Sequence, residues 1–114
     1  MAEPYVELSF AELSDICMND IYTAIKDMVP LNDPFDINIE VRELSIGLGQ
    51  EGSFVFSFKH KNELLQMNSP VSGLLEYRYD RGQQLWRNVK DGHDFRGIVT
   101  RDMLRLCAGC PNFK

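Results

Sequence analysis

Ser53-Phe54-Val55-Phe56-Ser57-Phe58-Lys59 is the stretch from which the fold of this chain is read. Phe54, Phe56 and Phe58 fall on one side, and Ser53, Val55, Ser57 and Lys59 on the other. A period of two belongs to a β-strand, and the unequal sides describe a sheet with one buried and one wet face. Upstream, Gly47, Gly49 and Gly52 around Gln50-Glu51 mark a hairpin. Before it, Leu44, Ile46 and Leu48 alternate, and earlier still Ile37, Ile39 and Val41 oppose Asp36, Asn38 and Glu40. The alternation slips at Arg42-Glu43, where the chain turns or bulges.

Downstream, residues 62–68 fit either a short helix or a strand; as a strand, Leu65 and Met67 point inward and Leu64, Gln66 and Asn68 outward. Ser69-Pro70-Val71-Ser72-Gly73 is a turn. Leu75, Tyr77 and Tyr79 then alternate with Glu76 and Arg78, Asp80-Arg81-Gly82-Gln83 reverses the chain, and Gln84 to Val89 returns as a strand carrying Trp86. Asp91-Gly92 closes it.

Both flanks are helical. Ser9-Phe10-Ala11-Glu12 reads as a capping box. Phe10, Leu13, Cys17, Ile21, Ala24 and Met28 follow at helical spacing, with Ser14 and Ile25 at the margin. Pro30 disfavours helix in the residue before it, so the helix is expected to end near Val29 after about 30 Å. Leu31 to Pro34 is a loop. Asp94 is placed as the cap of a second helix running to about Ala108, with Phe95, Ile98, Val99, Met103, Leu106 and Cys107 inward and Gly109 as terminator. The expected fold is therefore α+β: a two-layer sandwich whose antiparallel five- to six-stranded sheet carries both terminal helices on one face.

At 114 residues the chain has room for one domain, taken as 1–114. Its net charge of −5 disfavours duplex binding, which needs clustered Lys and Arg, and suits metal cations or a basic protein partner. No apolar run approaches the roughly 20 residues of a bilayer span, so no membrane role is expected. Met1-Ala2-Glu3-Pro4 has neither a signal peptide's apolar core nor an Arg-rich presequence; either none exists or it has been removed. Three cysteines without paired spacing suit a reducing compartment.

From Asn62 to Gly92 the residues resemble one family. Asn62, Asn68-Ser69-Pro70-Val71-Ser72-Gly73, Tyr77, Tyr79, Gly82, Trp86 and Asp91-Gly92 are similar to the run found in eukaryotic frataxins. The order of elements, roughly Phe10 to Leu106, resembles theirs too. The resemblance implies a protein of the mitochondrial matrix or of a mitochondrion-derived organelle. It implies weak binding of iron (Fe2+/Fe3+) through carboxylates, and a cysteine desulfurase and an iron–sulfur scaffold protein as partners, with a monomer expected. Ferroxidase activity is attributed to the family. It would need Fe(II) held near dioxygen by carboxylates, and nothing in the sequence fixes a redox site.

Asp20 and Asp27, seven residues apart, are expected on one flank of the first helix; Asp33 follows in the loop, and Asp36 and Glu40 share the outward face of the first strand. If the strand edge lies beside that flank, these five form one exposed ridge of oxygen donors, suited to iron at modest affinity. Glu12 and Asp15 are expected on the back of the helix. By alignment Ser57, Gln66, Asn68, Glu76 and Arg78 line the outer, partner-binding face. Here the chain departs from the family, which usually has an exposed Trp at position 66, an Asn at 57 and an Arg at 76.

Cys107-Ala-Gly-Cys110 straddles a helix C-terminus, the wrong end to acidify a thiol. Cys17 and Cys107 are expected as buried apolar residues, His60 and His93 as exposed ones, and Trp86 as core or half-buried. The alternative function is a small acidic inhibitor or immunity-type binding module with no metal role.

Overall fold

The phenylalanine strand sits in the middle of the sheet, and everything else is arranged about it. A computed structural model describes residues 7–113; the reading of Met1 to Pro4 falls outside them. Six strands, β1 (Asp36–Glu40), β2 (Glu43–Gly47), β3 (Ser53–Lys59), β4 (Leu64–Ser69), β5 (Gly73–Asp80) and β6 (Leu85–Asn88), form one antiparallel sheet in chain order. Helices α1 (Phe10–Ile25) and α2 (Phe95–Leu106) cover one face. The result is the α+β sandwich expected.

Phe54, Phe56 and Phe58 meet α1, α2 and their neighbours in a single core. Trp86 is buried among Phe10, Phe58 and Tyr79, edge-on to each. Such edge-to-face pairs place a positive ring edge against a negative ring face, adding to the gain from burial. Residues 64–69 are a strand, with Leu65 and Met67 inward. Leu64 was expected outward, yet it is buried too.

The capping box is present: Glu12 N donates to Ser9 Oγ at 3.1 Å and Ser9 N to Glu12 Oε1 at 2.9 Å. The first helix does not run uninterrupted to Val29. The α-helix stops at Ile25 and tightens into a 3₁₀ segment, Lys26–Leu31, that contains Pro30. Proline's fixed φ suits 3₁₀ geometry, and in so short a run its missing N–H removes little. Ser14 and Ile25, placed at the margin of the stripe, are fully buried; the Ser14 hydroxyl donates to Phe10 O.

The first strand departs most from expectation. It ends at Glu40, opposite Glu43, and Val41-Arg42 forms a two-residue turn with Arg42 at φ 61°. Ile39 and Val41, expected inward, are 51% and 89% exposed. β1 is an edge strand, so nothing lies over its outer side, and Val41 belongs to the turn.

At the other end, Gln84 and Val89 fall outside β6 and α2 ends at Leu106 rather than Ala108. Residues beyond α2 fold back on the 3₁₀ segment. Asn32 exchanges hydrogen bonds with the Ala108 backbone, and Asn112 N donates to Ala24 O.

Candidate functional site

Four of the five expected metal carboxylates, Asp27, Asp33, Asp36 and Glu40, are exposed. Asp36 lines a shallow groove with Tyr22, Val29, Phe35, Ile37 and Ile39, so β1 runs beside the Tyr22–Val29 flank of the first helical segment. Asp20 is elsewhere. Its carboxylate accepts from Arg96 Nη2 of α2 at 3.1 Å, and two residues of α-helix turn the chain by about 200°, which puts Asp20 nearly opposite Tyr22. The structure therefore separates Asp20 from the strand carboxylates, and the five do not share one ridge.

Two other carboxylates bear on this edge: Glu43, outside the expected five, and Asp15, expected on the back of the helix. Glu43 stands directly across from Glu40. Asp15 is exposed and seven residues before Tyr22, hence on the flank that faces β1. Reading the turn at Val41-Arg42 would have found the first, and the i,i+7 spacing to Tyr22 the second. Among the described residues no three His, Cys, Asp or Glu side chains are gathered closely enough to hold a metal ion. The donor set is oxygen-only, open and solvated, which fits a hard cation held weakly and not a closed cage.

On the outer sheet face, register lines up Glu40, Glu43, Ser57, Gln66 and Glu76 across five strands. Ser57 donates to Glu43 Oε1 at 3.2 Å, and Gln66 Nε2 to Glu76 Oε2 at 2.8 Å. Asn68 and Arg78 are exposed on the same face. All five residues thus lie on the outer side of the sheet, and Gln66 and Glu76 hold each other.

The frataxin-like domain profile matches residues 4–108 of this sequence, nearly its whole length. This chain belongs to the frataxin family. It is 27% identical over 104 residues to mitochondrial frataxin of Arabidopsis thaliana, covering 89% of the chain and 55% of that protein. To the mitochondrial frataxin homolog of Schizosaccharomyces pombe it is 24% identical over 97 residues, covering 85% of the chain and 61% of that protein. The chain thus spans little more than half the length of these relatives. Among solved structures, trimeric frataxin of the yeast Saccharomyces cerevisiae, complexed with ferrous, superposes with a TM-score of 0.75 at 16% identity over 94% of each chain. At that identity the likeness speaks for the fold. The relatives are named mitochondrial, and that supports a mitochondrial location for this chain.

Against the frataxin pattern, two of the departures are one feature. The positions where the family carries Trp and Arg hold Gln66 and Glu76, and these are cross-strand neighbours joined by a hydrogen bond. Cys17 is buried with its thiol pKa raised, first by burial and then by Asp20. Cys107, expected buried, is half-exposed at the C-cap, and Cys110 is exposed. His93 is no idle surface residue. Its Nε2 lies 2.7 Å from the hydroxyl of buried Tyr77 and its Nδ1 2.6 Å from Asp91.

Proposed function

We propose that this frataxin-family chain is an iron-binding accessory factor of iron–sulfur cluster assembly. It binds iron weakly as cargo and regulates a complex of cysteine desulfurase and scaffold. The observation that carries this reading is the family match across residues 4–108. In this reading iron sits on exposed carboxylates: Asp36 and Glu40 of the edge strand and Asp33 of the loop before it, with Asp27 of the 3₁₀ segment as a further exposed acid. Asp20 enters less directly because Arg96 holds it. The iron-bound yeast neighbour supports the same reading at the level of the family. Open carboxylates exchange water and ligand readily, which suits a factor that delivers iron better than one that stores it.

The outer sheet face is the proposed partner surface, through Ser57, Gln66, Asn68, Glu76 and Arg78. An exposed Trp is a typical interface anchor, and a Gln already bonded to its neighbour offers less apolar area. Weaker scaffold binding than in Trp-bearing frataxins follows. The test is to add the chain to a purified desulfurase–scaffold complex and measure co-migration and the rate of sulfide release. The reading requires a complex and a changed rate. A chain that neither co-migrates nor alters the rate belongs to the rival class, an acidic binding module with another partner.

A further inference from the structure

An open groove of about 870 Å³ runs along α2 beside the Ser69–Gly73 turn. Its apolar lining is Val71, Leu75 and Ile98, and Gly97 leaves it open, since a Cβ there would meet nothing within 4 Å. The rim is charged with opposite signs at its two ends: Asp91 and Asp94 at the start of α2, Arg101 and Arg105 one turn apart toward its end. These two arginines make one end of the groove basic on a molecule of net charge −5.

The arginine end is set before anything binds. Arg101 donates through Nε to Asp102 Oδ1 at 3.2 Å and through Nη2 to Ser72 Oγ at 3.0 Å, while about half of its side chain remains exposed. Asp102 is itself fully buried and fixed by Ser69 and Ser72, so the guanidinium is anchored to the core. Such preorganisation lowers the ordering cost of binding. At the other end Asp94 stands at the N-cap of α2 without making a cap bond, and its Oδ1 is buried with no hydrogen-bond partner among the described residues. A buried acceptor left unpaired is costly, and Asp94 borders both this groove and the cleft beside Trp86 and Phe113.

We propose that this groove binds an extended segment of a partner protein. The segment carries a basic residue for the Asp91–Asp94 end, an apolar residue for the Leu75–Ile98 floor, and an acidic residue for Arg101 and Arg105. Seven to eleven helix residues separate Asp94 from the two arginines, about 10–16 Å. An extended chain covers that in about four residues at roughly 3.3 Å each, so a basic residue at i with an acidic one at i+4 fits. The surface is separate from the carboxylate edge and the outer sheet face, so it stands or falls independently of iron and scaffold.

The probe is the peptide acetyl-Lys-Gly-Leu-Gly-Glu-amide, titrated into the full chain while backbone amides are followed by NMR. Saturable shifts are expected at residues 71–75, 91–98 and 101–105. Arg105→Gln is expected to weaken binding by up to about fivefold, as for one exposed ion pair, and replacing both charged peptide residues with Gln, which removes the contacts at both ends, to weaken it further. Gly97→Leu fills the groove at a site that favours helix and has space, so it is expected to abolish binding with the remaining spectrum intact. Four results would overturn the proposal: no saturable shift at millimolar peptide, shifts on β1 or the outer sheet face instead, unchanged binding by Gly97→Leu, or groove shifts that appear with protein concentration alone. The last would make the occupant a second copy of this chain.

Discussion

Asp102 accepts hydrogen bonds from Ser69 at 2.7 Å, Ser72 at 2.6 Å and Arg101 at 3.2 Å, with no solvent exposure at all. Removing a buried charge strands its donors, and Asp102→Ala is expected to cost about 3 kcal/mol in urea denaturation, Asp102→Asn less. A loss under about 1 kcal/mol would show that this network does not fasten the turn to α2. The Ser-Pro-x-Ser-Gly turn is legible in the sequence, but its acid is not. Thirty residues separate Ser72 from Asp102, and no spacing rule joins them. Gln66 and Glu76 teach the same lesson, since each reads as a separate departure until register makes them partners.

Among the elements, β3 was legible in full because it is central, and covered on one face only. β1 has the same alternation, yet its apolar residues are half-exposed because burial depends on having a neighbour, which a lone pattern does not report. The acidic edge inherits that gap: Asp36 and Glu40 are legible as outward acids, but Glu43 across the turn is not, and the flank of α1 beside the edge is Tyr22's and not Asp20's. At the start of α1 the sequence and the geometry agree. Ser9→Ala is expected to lower stability by about 1 kcal/mol, with the loss of helix protection confined to the first turn in hydrogen exchange. Protection lost evenly along α1 would contradict the capping assignment.

For the whole molecule, charge sets the pH response. Glu12 is held below its ordinary pKa by the Ser9 backbone and then the Ser9 hydroxyl. Asp80 is lowered by the Gln83 backbone and Arg87, and Asp91 by the backbone and ring of His93. Each folded value lies below the unfolded one, so their support is present above the ordinary carboxylate values and is lost as pH falls through the folded ones. Stability is expected to be level near neutrality and to drop below about pH 4.5, the ordinary value for Glu12. On the alkaline side, burial raises the Cys17 thiol above its ordinary value of 9.0 and the Tyr77 hydroxyl above its ordinary value of 10, so the unfolded chain releases these protons first and stability falls as pH rises past 9.0 for the thiol, with a further fall past 10 for the hydroxyl. Tyr77→Phe is expected to flatten that further fall in a pH series of thermal melts, whereas an unchanged fall would assign it elsewhere. Iron binding is tested by an anaerobic Fe(II) titration followed by backbone-amide NMR. Paramagnetic broadening is expected to begin at Asp33, Asp36 and Glu40, extend to Asp27, and reach Asp20 last. Undiminished amides along that edge, or broadening confined to Cys107 and Cys110, would contradict it.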